Sequence, residues 1–97
     1  MIRGIYDEER LILILRGHAN YAPRGEDIVC AGVSALAFAY ADHLGNCEKG
    51  ENGMVLRAKN NDKTEKAVFK MTVNGLKMIA RTYPENFLIT KGRLYYL

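Results

Sequence analysis

Asp27-Ile28-Val29-Cys30-Ala31-Gly32-Val33-Ser34-Ala35-Leu36-Ala37-Phe38-Ala39-Tyr40-Ala41 carries no charge after its first residue. Asp27 is suited to cap a helix, alanine dominates the stretch, and Gly45 just beyond Leu44 is a natural stop. The pattern predicts a helix over 28–44. A helix that is apolar on nearly every side must be buried on nearly every side. In a chain of 97 residues one sheet can cover one face, and a second subunit is expected on another.

Upstream, Ile2–Tyr6 is short and rich in β-formers, Asp7-Glu8-Glu9-Arg10 is polar, and Leu11-Ile12-Leu13-Ile14-Leu15 is continuously apolar. Two such runs around a polar turn predict an antiparallel hairpin. The unbroken apolar character of the second predicts burial on both faces, hence a central strand. Gly17–Gly25 is a loop, broken by two glycines, Asn20 and Pro23.

Downstream, Cys47–Gly53 is polar and turn-like, and Met54–Ala58 reads as a strand. After Asn60-Asn61-Asp62 a second helix is predicted over 63–83, with Pro84 beyond its end. At 100° per residue Val68, Phe69, Val73, Leu76, Ile79 and Tyr83 share one broad face, and Lys63, Lys66, Lys70, Lys77 and Arg81 form a stripe elsewhere. Phe87–Thr90 and Arg93–Leu97 are strand material interrupted at Lys91-Gly92. The reading is one α+β domain over 1–97, ββαβαβ in order, with two helices packed on one mainly antiparallel sheet.

The bulk numbers fit such a domain. Apolar residues make up 48% of the chain and charged residues 26%, ordinary for a globular protein. Neither a signal-peptide pattern nor an apolar run of the ~20 residues a membrane span needs is present, so a soluble, cytoplasmic protein is expected. The two cysteines, Cys30 and Cys47, are expected to remain thiols. Neither they nor the two histidines have metal-ligand spacing, and no metal or cofactor is expected. A net charge of +3 is compatible with work near RNA without requiring it, and the lysine stripe is read as a solvated face.

Chemistry concentrates between Gly17 and Ser34. Cys30 falls about three residues inside the helix capped by Asp27, where unpaired N–H groups and the helix dipole favour a thiolate. The same N–H groups are candidates to hold an oxyanion. His18 follows the central strand, at the start of the loop that leads to that helix. A strand end beside a helix start is the layout a Cys–His nucleophile needs. Ser34 lies one turn beyond Cys30 on the same face, placed to support the thiolate or a substrate carbonyl. Asp27 is first a cap and second a candidate to orient His18. The competing reading makes Cys30 a small buried hydrophobe in an alanine-rich helix and His18 an ordinary loop residue. His43 is read as structural, Cys47 as an incidental thiol, and Tyr95 and Tyr96 as packing groups.

Gly17-His18-Ala19 followed by Gly25-Glu26-Asp27-Ile28-Val29-Cys30-Ala31-Gly32-Val33-Ser34-Ala35 resembles the signature of the ribosomal-processing cysteine proteases, the Prp family. Two linked elements at matching spacing are more specific than either alone, and the element order over the rest of the chain is similar. The resemblance implies His18 as catalytic histidine, Cys30 as nucleophile, a mobile loop between them and a homodimer. It further implies a substrate: the N-terminal extension of a large-subunit ribosomal protein or, as in phage relatives, a capsid or scaffold protein. Gly45–Gly53 is shorter, and the second helix richer in lysine, than is usual in that family. The alternative function is a non-catalytic ribosome- or RNA-associated module with Cys30 packed in the core.

Overall fold

The structure, a computed structural model, describes residues 1–95. Seven elements follow one another: β1 (Ile2–Asp7), β2 (Ile12–Arg16), α1 (Ile28–Leu44), β3 (Glu48–Gly50), β4 (Gly53–Arg57), α2 (Lys63–Thr82) and β5 (Phe87–Lys91). They form a single mixed sheet of order β3-β4-β2-β1-β5. Three of its pairings are antiparallel, and β1 with β5 is parallel. The α+β reading with two helices and a mainly antiparallel sheet holds.

β2 is the middle strand, and its apolar run is buried on both faces. Leu13 and Leu15 join the main core with Val29, Val33, Ala37 and Tyr40 of α1 and Phe69, Val73 and Leu76 of α2. Ile12 and Ile14 point the other way and pack with Val55 under Leu94. α1 is capped by the Asp27 carboxylate, which accepts the Cys30 N–H, and it ends at Gly45, whose φ of 80° suits the left-handed cap. α2 begins at Asp62, which accepts the Glu65 N–H. His43, near the end of α1, lies 3.0 Å from Glu65 of α2, in keeping with a structural role.

Two differences from expectation stand out. The segment read as a turn contains a short strand, β3, so the sheet has five strands and the order is ββαββαβ. All three β3 residues are exposed on the sheet edge, so they show no apolar alternation for the eye to find. Residues 92–95, after β5, do not continue as a strand. Gly92 donates to the Tyr6 carbonyl, and the Leu94 N–H donates to Asp7 Oδ2 at 2.9 Å, which turns the chain across the open sheet face. Tyr95 lies beneath the Arg10 guanidinium, 4.0 Å from ring centre to carbon, while Tyr96 and Leu97 lie outside the described residues. Among the described residues no helix is long and apolar enough to cross a membrane.

Sheet and α2 do not wholly cover α1. Val33 is core, Leu36 is half-buried, and Ile28, Ala31, Ala35, Phe38 and Ala39 remain exposed as a stripe.

Candidate active site

The site begins where β2 ends. Gly17 has φ +91°, and a Cβ there would fall 2.5 Å from the Met1 carbonyl oxygen, so glycine is required for two separate reasons. Its N–H donates to the Asn52 carbonyl in the β3–β4 turn at 2.8 Å. These contacts fix the direction in which the chain leaves the sheet.

His18 comes next and is exposed, and its ring makes no hydrogen bond among the described residues. Ala19 is 1% exposed, an anchor inside an otherwise polar loop. Its N–H points at the Cys30 sulfur, 3.3 Å away. Its carbonyl accepts from the Asn86 side chain at 3.0 Å. Asn20 follows at φ +54°, a left-handed conformation that asparagine tolerates better than most residues.

Asp27 closes the loop onto α1. One carboxylate oxygen accepts the Cys30 N–H at 2.9 Å and the other accepts the Tyr21 N–H at 3.0 Å. The Cys30 N–H, more than any other group, holds the Asp27 carboxyl below its ordinary range; burial opposes this, and the Tyr21 N–H reinforces it. Tyr21 also sets its ring edge-on to Tyr83 of the α2 cap, with centroids 5.3 Å apart. The loop is therefore pinned at Ala19 and Tyr21, and beyond them Pro23–Gly25 is exposed, with the Pro23 carbonyl accepting the Glu26 N–H at 2.9 Å.

Two of the helix-start amides that the sequence offers for an oxyanion are already engaged. The Cys30 N–H is engaged by Asp27 Oδ1, and the Ala31 N–H by the Asp27 carbonyl at 3.0 Å. Neither is open to an oxyanion in this arrangement. The backbone donor that reaches the sulfur comes instead from Ala19.

Cys30 and Ser34 lie between two clefts, and His18 lines both. One, of about 270 Å³, runs between α1 and the β3–β4 hairpin and includes Phe38, Lys49 and Met54. The other, of about 700 Å³, opens beneath the loop and includes Asn20, Arg24 and Asp27. Lys49 reaches across the first cleft to within 4.8 Å of the Phe38 ring centre. The structure thus gathers His18, Cys30, Ser34 and Asp27 in one place. Asp27 contacts backbone amides and not the imidazole. Cys47 is a free thiol lining a separate cavity with Arg57 and Lys59. No cluster of three or more His, Cys, Asp or Glu suited to a metal occurs among the described residues. Sequence reasoning quoted Ala19 only as part of the Gly17-His18-Ala19 element and did not single out Asn86, and it missed the bond that joins them across 67 positions.

A cysteine at a helix start, an exposed histidine on the strand-end loop and clefts on both sides of the sulfur fit the class of small thiol hydrolases. Residues 3–88 match the profile of the family described as cysteine protease Prp, and the chain belongs to that family. The ribosomal processing cysteine protease Prp of Mycoplasma genitalium is 33% identical over 85 residues, covering 81% of this chain and 86% of that protein. The protein of the same name from Bacillus subtilis is 49% identical over 37 residues, 38% of this chain and about a third (33%) of the relative. Among solved structures, the ribosomal processing protease Prp of S. aureus with a covalently linked product peptide superposes with a TM-score of 0.83. It has 22% identity and covers 95% of this chain and 100% of that one. The same protease with a substrate peptide gives 0.78 at 21% identity, over the same shares of the two chains. At this identity the two structures establish the shared fold.

Proposed function

We propose that this chain is a cysteine endopeptidase with Cys30 as nucleophile and His18 as general base. The carrying observation is the Cys30 sulfur itself, at the first turn of α1, met by the Ala19 N–H and bordered by two clefts that His18 also lines. A helix N-terminus and an N–H donor both favour the thiolate. His18 takes the thiol proton, and the sulfur attacks the scissile carbonyl, forming a C–S bond and an oxyanion. Collapse breaks the C–N bond, and the imidazolium returns its proton to the leaving amine. Water, deprotonated by His18, then hydrolyses the thioester. With its ring unbonded, His18 is free to rotate toward the sulfur as substrate closes the site.

The names of the relatives point to ribosomal processing, and the resemblance of the Gly17–Ala35 signature narrows the proposed substrate to the N-terminal extension of a large-subunit ribosomal protein. An extended peptide crossing both clefts meets Phe38, Met54 and Val33 on one side of Cys30 and the polar loop on the other. The loop around Pro23–Gly25 acts as the mobile gate, hinged on pinned Ala19 and Tyr21. The exposed stripe of α1 supports a homodimer; a monomeric mass by light scattering at micromolar concentration would exclude it. The deciding experiment is cleavage of a peptide spanning the extension encoded by the source genome, followed by mass spectrometry. Wild type cuts once, and Cys30→Ala and His18→Ala, still folded, lose at least about 10³-fold in rate. A Cys30→Ala variant that cuts at near wild-type rate refutes the assignment.

A further inference from the structure

We propose that Asn86 is a positioning residue that aims the Ala19 N–H at the Cys30 sulfur. The proposal rests on the catalytic reading of Cys30 above. Asn86 sits in the turn between α2 and β5 and is held on three sides. Its N–H donates to the Tyr83 carbonyl at 3.0 Å, and its carbonyl accepts the Ile2 N–H at 2.9 Å. Its side-chain amide donates to the Ala19 carbonyl at 3.0 Å.

Ala19 is the link. Its carbonyl belongs to the peptide plane on one side of its Cα and its N–H to the plane on the other. With the methyl buried and the carbonyl held by Asn86, Ala19 keeps only its φ and ψ torsions, and the carbonyl contact favours the pair that turns the N–H to Cys30. The next residue, Asn20, holds a left-handed φ that the free chain would avoid, so surrounding contacts must keep the backbone there. Asn86 supplies the one side-chain hydrogen bond to the Ala19 carbonyl among the described residues. The same orientation places His18, the preceding residue, on the cleft side of the loop.

An N–H bonded to sulfur favours the charged form. Without the Asn86 donor the Ala19 peptide is free to turn, and the thiolate loses that partner. Asn86→Leu, near in size and neutral, removes the donor and adds no charge that would itself disturb the thiolate. Asn86→Ala is read in parallel, so that a misfit of leucine does not decide the matter. In a Cys47→Ser background, the rate of iodoacetamide alkylation against pH reports Cys30 alone. Both variants are expected to move the midpoint of that profile up by about one pH unit, equivalent to a tenfold change. Peptide kcat at neutral pH falls about tenfold and partly recovers at higher pH, with KM within about twofold. Folded variants with the wild-type alkylation profile would overturn the proposal, since a merely structural asparagine leaves that profile where it was. Cys30→Ala, measured alongside, separates the two ideas. If it still cuts, the catalytic reading fails even where the profile has moved. If it is inactive and the profile has not moved, only the role of Asn86 fails.

Discussion

β2 is entered through a turn organised by Asp7 and left through a loop organised by Asp27. Both carboxylates work by accepting backbone N–H groups. Asp7 is 2% exposed and accepts from Glu9, Arg10 and Leu94, with the Arg10 guanidinium 3.1 Å away. Asp27 is half-buried and accepts from Tyr21 and Cys30. The first ties a tight turn to the segment that covers the sheet. The second ties a loose loop to the helix that carries the sulfur. The same chemistry is saturated and enclosed where it serves the fold, and left half open where it serves the site. The contrast gives five ways to break or sharpen it.

Asp7→Ala should cost the most stability, about 3 kcal/mol, because three N–H groups and an arginine lose their acceptor together. Chemical denaturation measures it, and a loss no larger than that of an ordinary surface substitution would end the claim. Acid gives the same answer without mutation. Burial alone would raise the Asp7 carboxyl, but hydrogen bonds from Leu94, Arg10 and Glu9 outweigh it and hold it below the ordinary aspartate range. A depressed folded value means that the contribution is complete above the unfolded value and is lost as pH falls through the folded one. Stability should therefore drop more steeply below about pH 4 in wild type than in Asp7→Ala.

Gly17→Ala should cost about 1–3 kcal/mol from the left-handed backbone alone, with a further penalty from the Met1 carbonyl. Near wild-type stability and cleavage would show that the exit from β2 is not the constraint described. Asp27→Ala should leave the fold in place and reduce cleavage by about 10–100-fold, through misplacement of the loop against Cys30. Equal losses of stability from Asp7→Ala and Asp27→Ala would erase the distinction between them. The smallest effect is expected for Lys91→Ala. The Lys91–Glu8 ion pair beside the Asp7 turn is solvent-exposed, and its removal should leave the melting temperature unchanged within error. A clear drop would mean that the turn relies on surface charge as well as on Asp7.

Much of this was legible in the sequence, for physical reasons. The boundaries of α1 follow from an Asp cap and a Gly stop, both short-range devices. β2 declared itself central because five consecutive apolar residues can be buried only on two faces. His18, Cys30, Ser34 and Asp27 lie within 17 positions of one another, and local order was enough to bring them together. The rest depends on contacts distant in sequence. β3 has no pattern of its own and pairs because Gly50-Glu51-Asn52-Gly53 turns the chain back. Leu94 leaves the strand path because Asp7 captures its N–H. Asn86 reads as an ordinary residue after a helix-ending proline, and nothing local announces that it reaches Ala19.

The Asn86–Ala19 bond spans 67 positions and the Leu94–Asp7 bond 87. At a synthesis rate of about 5–20 residues per second, Asn86 is added roughly 3–13 s after Ala19. Through that interval β1 has no β5 beside it and the Cys30 sulfur has no fixed amide facing it. The contact proposed to aim the Ala19 N–H at Cys30 therefore forms only after β1, β2 and both helices have been synthesised.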